Sequence, residues 1–514
     1  MMVAPLDFTK VGSPPRRRSA VLRWGRAGAL VASLSCCSLV LDKNANQCSS
    51  NSDCAVFGGH PFCQSNVCVS SGLGPAGCFF GQPSHQADFA NQCSTAAVIP
   101  FDDCGRLAAC NATSAAQVFL VDAGAPSLGA IPPLINPETP PTISCTDPSR
   151  PNLIYVAGST SFSQFVQAVQ PLLSAATPAY TVVFLPASSC AGAAAVFDRD
   201  PSKHVIQNQT GNWAFFYDGN GNQTYCLLDS EGNTVDVGES DVAPVDCGYQ
   251  ESAGVADYPG PLQAFSFVVP SGSSQQTISA EAAHLVFGAG GNGGAAAPWT
   301  DPTLYFIRAS NTGSILLTSP AIGVASAAWW GIDRISDDNL RDSMEAVDPT
   351  RVEGAIGVLS TNVADPARAN LRELAFQAQG QLAGYLPDST PVSLDKGNVR
   401  DGHYPIWGTI HLFASIVTGV PSQAADALVT RFTVPKLDQT LITAIIGAGY
   451  VPACAMKVVR HQEMGPLASI EPKFDCGCYF TTVVDGASSC TSCKVPADCP
   501  SATPSCNYGF CEIQ

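Results

Sequence analysis

The sequence predicts an α/β fold with a small disulfide-rich module at each end. Three observations carry this expectation. From residue 152 onward, short apolar runs alternate with stretches of helical periodicity, the pattern of a sheet covered by helices. Two groups of four cysteines, one near each end, have similar spacings, C-x5-C-x8-C-x4-C and C-x5-C-x6-C-x4-C. A composition of 46% hydrophobic and only 13% charged residues over 514 positions is one that buries a core rather than staying disordered. The net charge of −17 leaves no general basic surface, so a nucleic-acid partner is not expected. No apolar run reaches the roughly 18 residues of a membrane-spanning helix.

The N-terminus reads as an address. Arg16, Arg17, Arg18, Arg23 and Arg26 precede an apolar run from Ala27 to Leu41, the order of a secretory signal, assigned to residues 1–36. Leu34-Ser35-Cys36-Cys37 at its end resembles a bacterial lipobox. That resemblance implies lipidation of Cys37, with Leu at −3 and Ser at −2; Cys36 at −1 departs from the usual small residue and is itself the alternative site. The chain is therefore expected to be exported to the cell envelope. Its membrane contact would be a lipid anchor only, in the periplasm or at the cell surface. Removing Cys36 and lipidating Cys37 leaves an even number of cysteines, which suits disulfides in an oxidising compartment. Zinc is the alternative at Cys490 and Cys493, but no second pair of this spacing completes a site.

Cys48, Cys54, Cys63 and Cys68 fall in a module at 37–72, and Cys493, Cys499, Cys506 and Cys511 in one at 487–514. In both, an aspartate (Asp53, Asp498) precedes the second cysteine. Segments this short cannot bury a core, so disulfides must substitute for one. Four cysteines allow three pairings, and the sequence does not choose among them. Such modules can act as spacers, as contact surfaces, or as clips on exposed termini. Residues 73–151, rich in Gly, Pro and Ala, read as a linker region.

The main domain is placed at 152–480. Leu153–Val156 is a buried strand, Ala157–Ser161 a turn, and Phe162, Phe165, Val166, Val169, Leu172 and Leu173 recur at helical spacing. Thr181–Leu185 is a second strand, followed by Ser188-Ser189-Cys190-Ala191-Gly192 and an Ala-rich helix start. In such sheets ligands sit beyond the carboxyl ends of the strands, where helix N-termini present free N–H groups. Ser and Thr there are first of all helix caps. Two later segments point beyond caps. Val237–Pro244 sets Ser240 and Asp241 in a turn after a strand, and Tyr305–Ser314 sets Arg308 before Thr312-Gly313-Ser314.

These four segments, in this order, resemble the phosphate-binding proteins of bacterial ABC transporters. Gly158-Ser159-Thr160-Ser161-Phe162 matches the family's first loop and Ser188-Ser189 its second; Gly238, Ser240 and Asp241 match Gly-x-Ser-Asp, with Pro244 one residue late. Arg308 with Thr312-Gly313-Ser314 matches Arg followed by Ser-Gly-Thr, with the hydroxyl residues exchanged. Val286-Phe287-Gly288, Trp299, Ala355–Ser360 and His403–Ile406 stand where the family has further landmarks. The resemblance implies a two-lobed type 2 periplasmic binding protein fold, with lobe one at 152–243 and 400–480 and lobe two at 244–399. It implies ligand contacts from Ser159, Thr160, Ser161, Phe162, Ser188, Ser189, Ser240, Asp241, Arg308, Thr312, Gly313 and Ser314. The hydroxyls and Arg308 would donate, and ionised Asp241 can only accept. It would accept from a protonated phosphate and repel sulfate, which has no proton to give. Two departures stand out: Cys190 replaces a usual glycine, and residues 198–236, with Asn220-Gly221-Asn222, read as an insertion.

The expected function is an extracytoplasmic solute-binding protein for phosphate or a similar oxyanion, monomeric, serving ABC-type uptake through a permease or sensing. No enzyme activity, metal or cofactor is expected. The alternative is an envelope surface interaction protein that keeps the binding fold as a scaffold and makes contacts through its cysteine modules. Ser393-Leu394-Asp395-Lys396 matches S-x-x-K without a following K-T-G. Glu281 and His284 read as a surface helix pair, Trp329-Trp330 as packing, and Lys396, Arg400, Asp401 and His403 as an exposed salt-bridged hinge loop.

Overall fold

The computed structural model describes residues 74–120, 141–206, 212–291, 295–417, 419–486 and 488–512, apart from positions 76, 80 and 151. It also gives the backbone of two paired strands, Phe62–Gln64 and Val67–Val69. The signal, Cys37, Cys48 and Cys54 lie outside the described residues, as do the side chains of Cys63 and Cys68.

The first lobe opens with β1 (Leu153–Ser159), α1 (Phe162–Ser174), β2 (Thr181–Ala187) and α2 (Ser189–Phe197). β1 and β2 pair in parallel over their full length. α1 buries Phe162, Phe165, Val166, Val169 and Leu173, one apolar stripe at helical spacing. Gln170 sits in the same stripe: its amide donates to Tyr180 O and accepts from Val182 N–H, pinning α1 to the start of β2. The insertion forms a hairpin, β3 (Trp213–Tyr217) and β4 (Gln223–Leu227), that adds to the sheet edge antiparallel to β2. β5 (Val237–Ser240) lies parallel to β1 on its other side.

Two long strands then cross between lobes. β6 (Val255–Pro270) goes out and β10 (Trp407–Val417) returns, antiparallel, with a register shift between Pro259 and Leu262. Between them lie α3 (Ala280–Ala289), β7 (Tyr305–Ile307), α4 (Gly313–Ile322), β8 (Ile332–Asp333), α5 (Asp337–Glu345) and β9 (Ile356–Ser360). The strand order is β8-β7-β9-β6-β10-β5-β1-β2-β3-β4. This is the two-lobed type 2 periplasmic binding protein fold: a parallel α/β unit on each side and an antiparallel strand pair shared by both. Separate apolar clusters cover the faces, one around Phe162, Phe184 and Tyr450 in the first lobe and one around Phe267, Phe287 and Trp299 in the second.

The crossing strands carry a charged clamp. His411 on β10 lies between Asp257 on β6 (2.7 Å) and Glu463 (3.2 Å). Burial alone would lower its pKa, but hydrogen bonds and charge from the two carboxylates raise it to about 9. A raised histidine stabilises fully below its unfolded value near 6.5 and loses that contribution as pH rises to about 9. The melting temperature is therefore expected to fall across that window in the wild-type protein and to stay nearly flat in His411→Gln. Equal slopes for both would remove the clamp from the account.

Several expectations change. Residues 81–120, read as linker, form three short helices; Phe89 and Val118 from the helices and Phe101 from the loop between the first two enter the second lobe's core, and Cys78–Cys93 and Cys104–Cys110 hold the segment. Isolated apolar residues in a Gly/Pro-rich segment carry little periodicity, which hid these helices. Val458, Leu467, Cys476 and Phe480, expected in lobe one, join that same core. Lys396, Arg400 and His403 are buried, not exposed. Lys396 and Arg368 meet Asp365 and Asp388, and Arg368 also meets Glu373, so two cations face three acids; burial and the neighbouring carboxylates raise the Glu373 pKa to about 7. Glu281 and His284 are buried as well; His284 Nδ1 bonds Ile322 O and its ring meets Phe119. Trp329 packs on Phe287.

The C-terminal module pairs Cys493 with Cys506 and Cys499 with Cys511, while Cys490 is joined to Cys478 on the helix Gly477–Asp485. The Cys490/Cys493 spacing thus serves two disulfides. The module is seated on the main domain: Glu512 accepts from Cys478 N–H, and Tyr508 donates to Leu437 O. Eight disulfides among the described residues mark an exported protein folded in an oxidising compartment. Among those residues no helix is long and apolar enough to cross a membrane.

Candidate functional site

The strands β1, β2 and β5 end at one place, facing the end of β7 across the lobe boundary. Their loops are what the fold brings together. α2 can lie close on the sheet only because glycines meet there: a Cβ on Gly192 would stand 1.8 Å from Glu239 O, and one on Gly238 2.2 Å from Gly192 O. This close approach puts the first turn of α2 beside Asp241. Cys190 in that turn is bonded to Cys247, which follows the Asp241 loop, so the disulfide ties loop to helix within one lobe.

Asp241 is fully buried. Its Oδ2 accepts from Ser189 Oγ (2.8 Å), and Ser189 Oγ in turn accepts from the Gly313 N–H of the opposite lobe (2.8 Å). Gly313 must be glycine, since a Cβ would lie 2.3 Å from that of Asp241. Burial lifts the Asp241 pKa to about 6, with nearby Asp337 adding to the rise, while the Ser159 and Ser189 hydroxyls and Arg308 hold it down. Among the described residues Oδ1 has no hydrogen-bond partner of normal geometry.

Arg308, at the end of β7, is 5% exposed. Nε donates to Arg334 O, Nη2 to Ile335 O, and Nη1 both to Asp337 Oδ1 (2.7 Å) and to Thr160 Oγ1 across the boundary (3.1 Å). Asp337, in the first turn of α5, also accepts from Ser360 Oγ. Thr312 leaves the N-terminus of α4 without a side-chain cap; its hydroxyl donates to Ala309 O and lies 3.2 Å from Ser314 Oγ. The lobes meet further through Cys190 N–H to Asn311 O (3.2 Å) and Asn362 Nδ2 to Ser161 O (3.1 Å).

Of the residues singled out in the sequence, Thr160, Ser189, Asp241, Arg308, Thr312, Gly313 and Ser314 form this one network or its edge. Ser159 adjoins it through its hydroxyl, 2.9 Å from that of Ser161. Three others have different work. Ser188 caps α2 by accepting from Ala191 N–H, though it also lines the cleft. Ser240 closes a turn with Val242. The Phe162 side chain lies in the first lobe's core, stacked on Phe165, not in the cleft. Helical periodicity places it there.

Two site residues had no sequence signal. Asp337 looks like an ordinary acid in a helix first turn. Glu239, the unspecified position of Gly-x-Ser-Asp, is fully buried and accepts from Ser159 N–H at 2.6 Å. Burial, and next the charge of Asp241, keep it protonated well above the usual carboxylate range.

Above the network lies a cavity of about 590 Å³ between the lobes. Thr160, Ser188, Arg308 and Thr312 are on its floor side, and the β3–β4 hairpin forms a wall.

No family model matches this chain, and no curated protein matches it. Similar solved structures include an ABC-type phosphate transport receptor from Vibrio cholerae, 12% identical, covering 58% of this chain and 99% of the receptor at a TM-score of 0.37. PstS from Borrelia burgdorferi is 11% identical, with 58% and 98% covered and a TM-score of 0.32. A high-affinity periplasmic phosphate-binding protein solved with phosphate at pH 8.5 is 16% identical, with 58% and 90% covered and a TM-score of 0.38. The fold itself is read from the strand order and crossing strands above.

Proposed function

We propose that this chain is an extracytoplasmic solute-binding protein that takes phosphate or a related oxyanion between its lobes, for ABC-type uptake or sensing. It acts as a monomer without catalytic activity, held to the membrane through a lipid on Cys37. One observation supports the reading most: hydroxyls, a helix N-terminus, an arginine and an acceptor carboxylate from four separate loops and both lobes meet at one point. Charge-assisted hydrogen bonds there are worth roughly 1.5–3 kcal/mol each. Binding closes the lobes on the crossing strands. The S-x-x-K motif supports no enzyme reading: Lys396 is spent on Asp365 and Asp388, and Ser393 bonds Thr390 and Asp395.

The test is equilibrium dialysis with labelled phosphate, challenged with excess sulfate, on wild type and Asp241→Asn. Wild type is expected to bind saturably, with no displacement by sulfate. The variant is expected to shift the phosphate-to-sulfate preference at least tenfold toward sulfate. Because the Asp241 pKa is raised in the fold, ionising it costs stability as pH climbs from about 4 to about 6. Asp241→Asn should therefore be more stable than wild type at pH 7, by about 3 kcal/mol at most, and equal to it near pH 3. A variant that is less stable at pH 7 would refute the burial argument. Absence of phosphate binding up to millimolar concentration, in folded protein, would sink the transport reading. The scaffold alternative would then stand on Glu239, which already takes the Ser159 N–H that an anion would use.

A further inference from the structure

We infer that the natural ligand is a sugar phosphate, with its ring held in the cavity above the oxyanion network. This rests on the oxyanion reading and goes beyond it. Free phosphate would be satisfied by the oxyanion network alone. Yet the cavity measures about 590 Å³, within the range of roughly 300–1,000 Å³ that encloses organic ligands.

The wall that creates this space comes from the inserted hairpin. Trp213 and Tyr225 meet edge to face at 5.2 Å, and Phe215 meets Tyr217 at 5.5 Å and Tyr225 at 5.9 Å. The rings brace one another, so the wall is rigid and offers aromatic surface to the cavity. Such surface does nothing for a bare phosphate. It suits the C–H faces of a ring.

The remaining lining decides which kind of ring. Asp333 and Gln164 line the same space, and Asp333 forms no ion pair among the described residues. Desolvation raises its pKa, as expected of a carboxyl turned away from bulk water, while Arg308 and Arg334 lower it. An aryl group against these side chains would leave acceptor and amide unpaired, at a cost of roughly 1–3 kcal/mol each. Sugar hydroxyls would pair with both. Arg334 also lines the cavity, with its guanidinium 5.3 Å from the Phe306 ring and Nε without a hydrogen-bond partner among the described residues. It adds positive charge where the Arg308 charge is already matched by Asp337.

The experiment is isothermal titration of the oxidised protein with inorganic phosphate, glucose 6-phosphate, ribose 5-phosphate and phenyl phosphate. One of the sugar phosphates is expected to bind at least tenfold tighter than either inorganic or phenyl phosphate. That advantage should shrink at least tenfold in Asp333→Asn and in Tyr225→Leu, with inorganic phosphate affinity retained or, where the Asp333 charge near Arg308 is removed, raised. Asp333→Asn changes no volume, so it serves if the Tyr225 variant fails to fold. Inorganic phosphate binding tightest would overturn the sugar assignment and leave the proposed function intact. Phenyl phosphate binding tightest would overturn it through the polar lining. If none of the four binds, the oxyanion reading falls and this inference with it.

Discussion

Replacing Arg308 by Met is expected to destabilise the protein by about 3–5 kcal/mol and to lower phosphate affinity at least a hundredfold. Asp337 would be left buried opposite an apolar side chain, and an unpaired buried charge carries a penalty of about that size. Two backbone carbonyls, of Arg334 and Ile335, would lose their donors, and Thr160 its contact across the boundary. The variant that separates these effects is Arg308→Met with Asp337→Leu. Replacing both members of a buried pair by apolar groups is often close to neutral. Stability should therefore return in part in the double variant, short of wild type because the Arg334 and Ile335 carbonyls and the Ser360 hydroxyl still lose their partners, while affinity does not return. Urea unfolding gives the first quantity and dialysis the second. A single variant within about 1 kcal/mol of wild type would show that the pair carries no such weight.

The second large effect needs no charge. Gly192→Ala should destabilise by more than about 4 kcal/mol, at the far end of single substitutions. The added methyl would overlap Glu239 O, with Glu239 C at 2.8 Å and Ala157 O at 2.9 Å. All three are backbone atoms of strands, so no rotamer change relieves the overlap. α2 would have to lift from the sheet, taking Ser188 and Ser189 away from Asp241. Denaturant midpoints measure this directly. An alanine variant that keeps wild-type stability would mean that α2 does not lie as close as described.

The same contacts explain what a sequence reader can and cannot see. The first strand expected at Leu153–Val156 runs to Ser159, and the helix begun at Phe162 ends at Ser174. Apolar periodicity reports burial, so it finds the elements whose faces are buried. Loop motifs of small and hydroxyl residues found the segments that converge. Partnership across the fold is a different matter. Asp337 is chosen by the position of Arg308 and not by its neighbours in the chain. Lys396 is buried because Asp365, thirty-one residues away, and Asp388, eight residues before it, surround it; a run of charged residues read locally looks solvated. Glu239 stands at a variable motif position, and only the close approach of α2 forces it inward. The hairpin was legible through Asn220-Gly221-Asn222, but its role as a cavity wall depends on which sheet edge it joins. Disulfide pairing was underdetermined for the same reason, since spacing does not fix distance.

The placement of the disulfides has a consequence in time. Cys190–Cys247 and Cys145–Cys226 lie within the first lobe and its flanking turn, Cys78–Cys93 and Cys104–Cys110 on the segment packed against the second, and the rest toward the C-terminus. Among the described residues none links the loops of Thr160 and Ser189 to those of Arg308 and Thr312. A disulfide in that position would fix the gap for as long as the protein stays oxidised, since uncatalysed rearrangement takes minutes to hours. Hydrogen bonds and packing such as that of Gly313 on Asp241 span it, and hinge motions that break such contacts run in microseconds to milliseconds. Oxidation after export can therefore make each wall durable on the timescale of the protein's lifetime while leaving the passage between them free to open many times a second.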